Sequence, residues 1–457
     1  MDIITIGEYM KTLRLVFLVC SMMIAQSDKE MVKSIFDETL VNGEAYSKLR
    51  ELCLDIGARL SGSPELEKAV DWSKKVMEDY GFDKVYLQKT MVPHWVRGEK
   101  ETAYAIINGK KYELNILANG NSVATPDGGI KAKIIRMSLP SDLEKIGKDK
   151  IKGKIVFYDR AFDQRKIDND YGGAGPTRWF GAAEAEKYGA IGVLNRSLAS
   201  AHEGDDFPHT GNGKASKIPT ASLSVKSSNA LIELLNKDPN LDVFMKLNCK
   251  HLPDAVSYNV IGEIKGSEFP DKYITIGGHL DSWDVGHGAH DDGTGCVQAI
   301  EALRTLNALN IKPRHTIRAV MFTNEENGMR GGNKYAEVAK EKNEIHIAAL
   351  ESDGGGFTPR GFSVDGNEEQ LKKIQSWIPL FDKRTITFAE KGSGGADITP
   401  LRKATGAIAI GLSVDHQRYF DYHHTEADTF DKVNKRELLL GAASMTSLIY
   451  LIDKYGI

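Results

Sequence analysis

Four cysteines in 457 residues, none in a CxxC pair, provide no thiolate cluster for a structural zinc site and no disulfide framework. Cys20 falls in the N-terminal apolar stretch, Cys296 falls on an apolar helical face, and one bridge, Cys53–Cys249, stays open. Neither sign of charge is in excess. Lys and Arg number 59 against 63 Asp and Glu, a net charge of −4, which does not suit a nucleic-acid partner. There is no internal repeat and no low-complexity tract, so solenoids and disordered linkers are excluded. No apolar run reaches the about 18 residues that a membrane-spanning helix needs.

The longest apolar run, Leu15 to Ala25, follows Lys11 and Arg14 and has signal-peptide length. Residues 1–26 are therefore expected to be a removable leader, with Met10 an alternative start, and the mature chain to be exported. Its destination (secreted, periplasmic, lysosomal) depends on the source, as does any use of the sequon Asn195-Arg196-Ser197. With 41% hydrophobic residues, the remaining chain is long enough for more than one domain.

Histidines and carboxylates stand where five chain segments end: His279, Asp291, Glu325–Glu326, Asp353 and His424. YITIGGHLDSWD, Tyr273 to Asp284, is an apolar run closing on His279 and Asp281. Asp291 and Asp292 precede Cys296, Ala299, Ile300, Leu303 and Leu306, the spacing of one helical face, with Asp292 and Thr294 as early-helix residues. TIRAVMFTNEEN stops at Glu325–Glu326 and IHIAALESDGGG at Asp353. The order strand, helix, strand, helix (roughly 333–342), strand predicts a mostly parallel sheet with helices on both faces. Ligands bind beyond the carboxyl ends of such strands, where these residues lie. Imidazole and carboxylate form the donor set of a catalytic metal pair, which also needs one carboxylate off the metal as general base. Taken singly, each motif fits a surface turn, a solvated face or a helix cap. The ordered set does not.

GGHLDSWDVG, AHDDGTG, NEEN, ESDGG and HHTEAD together resemble the co-catalytic di-zinc aminopeptidase and glutamate carboxypeptidase family, over nearly the whole chain after the leader. The resemblance implies a zinc exopeptidase fold with two Zn2+ per chain. It places His279 and Asp353 on the first zinc, Glu326 and His424 on the second, and Asp291 between them. Glu325 would be the general base and Asp281 the carboxylate that orients His279. His424 is preferred to His423 because it matches the family's His-Thr/Ser-x-x-Asp pattern. Asp291–Asp292 resembles a pair often joined by a cis peptide. The resemblance further implies a homodimer, with small unblocked peptides, especially dipeptides, as substrates. An aminopeptidase on longer peptides and a non-catalytic binding protein of the same fold are the alternatives. His287 and His290 depart from the pattern, and His290 is expected to line the cleft.

The rest of the chain is expected to frame this site. Glu44–Ile56 reads as an amphipathic helix, and the next helix has Ser63 as cap, Pro64 first and Gly81 beyond its end, followed by a short strand Lys84–Gln88. Between about Leu114 and Leu252 the text turns to short strands, GIKAKIIRM, KGKIVFYDR, GAIGVLNRS and IPTASLS, with one helix, FGAAEAEKYG. This stretch resembles a protease-associated domain. The expected division is 27–113 and 253–457 for the peptidase domain, with 114–252 inserted as a β-rich unit. Its loop Phe162–Arg178 could reach the cleft. Asp397, ending the Gly-rich segment from Ser393, can cap a helix or hold a substrate amine. Tyr419 and Tyr422 flank the last ligand, and Lys435–Tyr455 is a closing helix.

Overall fold

The computed structural model describes residues 27–163, 165, 170–198, 206–382 and 385–457. The expected leader lies outside the described residues. Two eight-stranded sheets organise the chain. Across the first, the order is Lys84–Val96, Lys250–Ile264, His315–Phe322, Phe269–His279, Ile345–Glu351, Ile408–Val414, Pro359–Asp365 and Phe388–Lys391. The four middle strands run parallel, and antiparallel pairings flank them.

Side chains alternate between the two faces of the sheet and both faces are covered, so these strands are largely apolar. Every residue of His315–Phe322 is buried. Ala319 and Met321 pack toward Cys296, Ile300 and Leu303 of the helix Thr294–Ala308 and toward the closing helix Lys435–Tyr455. Val320 and Phe322 pack on the opposite face against Tyr335 of the helix Arg330–Glu341 and Leu401 of Thr399–Thr405. The result is helices on both faces of a mixed, mostly parallel sheet. Phe269–His279 occupies the switch point: the chain winds from it first to His315–Phe322 on one side and then crosses to Ile345–Glu351 on the other, so the connections leave in opposite directions and open a crevice at its carboxyl end. His279 is the last residue of that strand.

The early helices follow their sequence signals. Pro64–Asp79 starts with Ser63 accepting from the Leu66 N–H, and Pro64 is at its first position. The strand read as Lys84–Gln88 continues to Val96, paired along its length with Lys250–Ile264. The strand Pro359–Asp365 and the helix Glu368–Trp377, the latter started by an Asn367–Gln370 capping box, went unread in the sequence.

The second sheet runs Lys110–Leu114, Thr102–Ile107, Asp242–Lys246, Ile130–Met137, Ile155–Tyr158, Gly192–Arg196, Thr220–Leu223 and Ile116–Ala118. Its first two strands in the chain lie ahead of the Leu114 boundary expected from composition. It also carries a thirteen-residue helix, Val225–Lys237, besides the expected one at Gly181–Lys187. The signal was present: Ser224 caps it by accepting from Ser227, and Leu231, Leu234 and Leu235 have helical spacing.

The two sheets share a core. Trp283, four residues beyond His279, is buried with Leu60, Trp95 and Cys249 among the apolar residues of the second sheet. It meets Trp95 edge-on with ring centroids 6.5 Å apart, and a Cβ on Gly120 would lie 1.8 Å from its ring. Cys53, by contrast, packs with Ala45, Leu49 and Val297. Cys53 and Cys249 therefore sit in different cores, both free, and the bridge left open by the sequence is not made.

Trp283→Ala should lower unfolding free energy by about 3–5 kcal/mol, the usual loss for a buried indole, and shift one common transition in denaturant melts. Burial pushes the thiols of Cys53 and Cys249 up to about 12. Both should stay unreactive toward a thiol reagent at neutral pH until the protein is unfolded, as read by absorbance and peptide mapping.

Candidate active site

The carboxyl ends of the central strands deliver the polar residues to one crevice. His279 ends its strand, Glu325 and Glu326 follow Phe322 by a short turn, Asp353 follows Glu351, and His424 lies on the segment after Val414. Asp291 enters from the turn before the helix Thr294–Ala308, and its peptide bond to Asp292 is cis, as the resemblance implied.

Asp291 stands between the two histidines. Its Oδ1 is 3.2 Å from His279 Nε2 and its Oδ2 is 3.1 Å from His424 Nε2. His279 Nε2 also lies 3.4 Å from Asp353 Oδ1, and His424 Nε2 lies 3.1 Å from Glu326 Oε2. These approaches leave Asp291 Oδ2 and Glu326 Oε1 buried without a hydrogen-bond partner. Two ligands each about 2.0–2.2 Å from a tetrahedral zinc lie about 3.3–3.6 Å apart, so the spacing fits donor atoms aimed at shared ions. Overlapping donor groups share His279 or Asp291.

Charge points the same way. Burial and the Asp291 carboxylate push Glu326 up to about 7. Burial, with Asp353 and Glu326 nearby, pushes Glu325 well above the usual carboxylate range. Burial opposes charge on His279, yet Asp291 and Asp353 raise its pKa well above the ordinary imidazole value. So many buried carboxylates cannot ionise together without cations among them.

Two other candidate donors have different roles. Asp292 uses Oδ2 to accept from the His279 N–H at 3.1 Å and Oδ1 to accept from Gly295 at 2.9 Å. His423 Nε2 is 3.6 Å from Asp291 Oδ2, farther than His424, and its ring stacks on His424.

The supports differ in part from expectation. The His279 Nδ1–H donates to the backbone carbonyl of Asp281 at 2.9 Å, while the Asp281 carboxylate is 3.9 Å away. That carboxylate instead accepts from the backbone N–H groups of Glu325 and Glu326, at 3.0 and 3.3 Å. Asp281 thus orients the imidazole by its main chain and the glutamate pair by its side chain. Asp428, noticed in the sequence only as part of the His424 motif, accepts from the N–H groups of His290 and Asp291 at 2.7 and 3.1 Å. Arg59 is wholly buried and donates to the carbonyls of Leu280, His287 and Gly288 at 2.5, 2.8 and 2.9 Å, and to Gly57 at 3.3 Å. An arginine amid small residues, GARLSG, was the available signal, since a buried guanidinium must find acceptors.

The site opens into a cavity of about 550 Å3. One wall carries Asp291, Glu325, Glu326, Asp353, Tyr419 and His424; Tyr171, Arg178, Trp179 and Lys214 form the wall facing it. Of the Phe162–Arg178 stretch, Tyr171 and Arg178 do reach the cleft. His290 does not: it is fully buried, its ring stacked on Phe357 at 4.2 Å and against Tyr422 at 5.5 Å between ring centroids. Tyr422 is thereby committed to packing. Asp397 neither lines the cavity nor caps the helix Thr399–Thr405. Both its oxygens are buried without partners, and burial with Glu351 nearby raises its pKa far above the usual range.

The model for peptidase family M28 matches residues 259–447. Carboxypeptidase Q of Xenopus laevis is 35% identical over 93% of this chain and 90% of its own length. Carboxypeptidase Q of Bos taurus is 32% identical over 93% and 89%. The crystal structure of a peptidase M28 precursor from Shewanella amazonensis superposes with a TM-score of 0.89 at 30% identity, covering 94% of this chain and 97% of that one. A zinc aminopeptidase from Bacillus subtilis shares the fold at a TM-score of 0.66 and 20% identity, over 89% and 94%.

Arg59→Met should leave its carbonyl acceptors buried without a donor. A loss of about 3–5 kcal/mol is expected in denaturant melts. Arg59→Lys should recover only part of it, because an ammonium cannot span acceptors arranged for a planar fork.

Proposed function

Because the chain belongs to peptidase family M28, a metallopeptidase family, we propose that it is an exported di-zinc exopeptidase cleaving small unblocked peptides, dipeptides above all. The observation that carries this reading is Asp291, whose two oxygens face two different imidazoles in one buried carboxylate cluster. His279 and Asp353 would hold one ion, Glu326 and His424 the other, with Asp291 common to both. Zinc there would polarise a peptide carbonyl and make water acidic enough to lose a proton near neutral pH.

The chain's own groups supply the remainder. Glu325 lines the cavity beside the ligands without being needed as one. With its main chain fixed by Asp281, it takes a proton from the attacking water and returns it to the leaving amine. Burial, with the Asp291 carboxylate nearby, holds the Tyr419 phenol protonated, so it can donate to the oxyanion. On the facing wall, Arg178 is occupied by protein acceptors, whereas Lys214 is exposed at the rim. We assign Lys214 to the free carboxylate of the substrate, which favours a short peptide whose terminus reaches that wall.

Among the described residues no helix is long and apolar enough to cross a membrane.

Glu325→Gln should keep its metal, measured by elemental analysis after gel filtration, and lose about 10²–10⁴-fold in kcat. Wild-type turnover in the metal-loaded variant would remove Glu325 from the mechanism. On a peptide panel with a chelator control, dipeptides should outpace pentapeptides. Lys214→Gln should raise KM for free dipeptides and leave KM for their amides unchanged; an equal effect on both would sink the assignment.

A further inference from the structure

Asn212 and Lys214 both line the wall that faces the carboxylate cluster. Their backbone is tied down. The Gly211 carbonyl accepts from the Gly120 N–H at 3.0 Å, and Asn212 is bridged to Gly120. Gly213 runs against the Arg178 carbonyl, which lies 2.8 Å from where its Cβ would be, and the Lys214 N–H donates to the Trp179 carbonyl at 2.7 Å. Gly211 fits only as glycine: a Cβ there would lie 2.0 Å from Arg178 Nη1 and 2.7 Å from His424 Nδ1. The stretch is a firm edge of the cavity, and the Asn212 and Lys214 side chains leave it from set positions.

The Asn212 amide also has a set direction. Asn121 Nδ2 faces two oxygens, Asn212 Oδ1 at 2.9 Å and the Asn327 carbonyl at 3.5 Å. A carbonyl only accepts, so the NH2 of Asn121 is the group turned toward both. Asn212 therefore gives its oxygen to Asn121 and has its NH2 left for the cavity. Among the described residues neither that NH2 nor the Lys214 ammonium has an acceptor. Asn121 itself does not line the cavity.

A carboxylate has two oxygens to place against donors. An ammonium on a flexible stem supplies charge without fixing direction. An oriented amide NH2 beside it supplies the direction. We propose that Asn212 is a substrate-positioning residue: its NH2 and the Lys214 ammonium together hold the terminal carboxylate of a short peptide, and Asn121 sets the aim of that NH2. A terminal amide brings no charge to Lys214 and has one oxygen for two donors. A longer peptide presents an amide at the same point, so the pair discriminates by chain length as well as by charge. The proposal rests on the short-peptide reading and deepens it.

The test is steady-state kinetics of the zinc-loaded full-length protein on a dipeptide and on the same dipeptide as its amide, for wild type, Asn212→Asp and Asn121→Asp. Asn212→Asp is nearly isosteric and still accepts from Asn121, so the donor alone is lost. It should raise KM for the free dipeptide by about 10-fold or more and leave KM for the amide no higher than in wild type. Asn121→Asp should act alike from outside the cavity, because an acceptor-only group there turns Asn212 round and aims its oxygen at the substrate. Should either variant melt early by circular dichroism, Asn212→Ser, which removes the amide without adding charge, carries the same expectation for the free dipeptide. An unchanged KM in a folded Asn212 variant, or equal rises for dipeptide and amide, would overturn the proposal. An effect of Asn212→Asp with none from a folded Asn121→Asp would overturn the assigned aim. Zinc-loaded wild type that leaves dipeptides intact would overturn the short-peptide reading itself.

Discussion

A buried clamp on residues 287–291 holds the centre of this molecule in register. Arg59 takes the carbonyls of His287 and Gly288, while Asp428 takes the N–H groups of His290 and Asp291 and offers its own carbonyl to the His287 N–H at 2.7 Å. Arg59 simultaneously binds the carbonyl of Leu280, next to His279. One cation and one anion thus join three sequence-distant stretches, 57–59, 280–291 and 428. Neither touches the cavity, yet the aim of Asp291 depends on both, because a bridging carboxylate is useful only if each oxygen meets its own partner. Backbone groups, rather than side chains, carry the load, which suits a turn whose N–H and C=O groups have no ladder to join.

Asp281 extends the same economy. A single residue steadies His279 through its carbonyl and Glu325–Glu326 through its carboxylate. The imidazole on one strand end and the glutamates on the next therefore share one anchor. The second sheet closes the arrangement from above, tied down by Trp283 in its core and by Thr210 on the His424 main chain. The cleft is formed between two sheets joined by a buried indole and a main-chain hydrogen bond.

Much of this was legible in the sequence for a physical reason. Parallel strands buried on both faces must be apolar runs, and their polar terminations stand out, so His279, Glu325–Glu326 and Asp353 were located with their strands. The Ser63-Pro64 start and the closing helix were equally plain. Reading failed where the determinant was non-local. His290 looked like a cleft residue because it adjoins Asp291, but backbone direction turns it against Phe357 and Tyr422. Asp397 precedes a helix that makes no use of it. The main-chain support of His279 by Asp281 is invisible to side-chain motifs, and the reach of Arg178 to His424 spans 246 positions. The Val225–Lys237 helix was missed for a different reason: its serine-rich opening masked a good cap.

Gly211 has a consequence for how such a protein can diversify. Phe180 stands at the rim, 47% exposed, and can be exchanged with little effect on its surroundings. Gly211 cannot: its backbone sits at φ +132, and any side chain would enter the space between Arg178 and His424. Rim and glycine thus differ sharply in mutability. Recombination that imports a foreign cleft wall succeeds only if glycine, arginine and histidine travel as a set. Graft boundaries drawn at the visible edge of the second sheet would separate them.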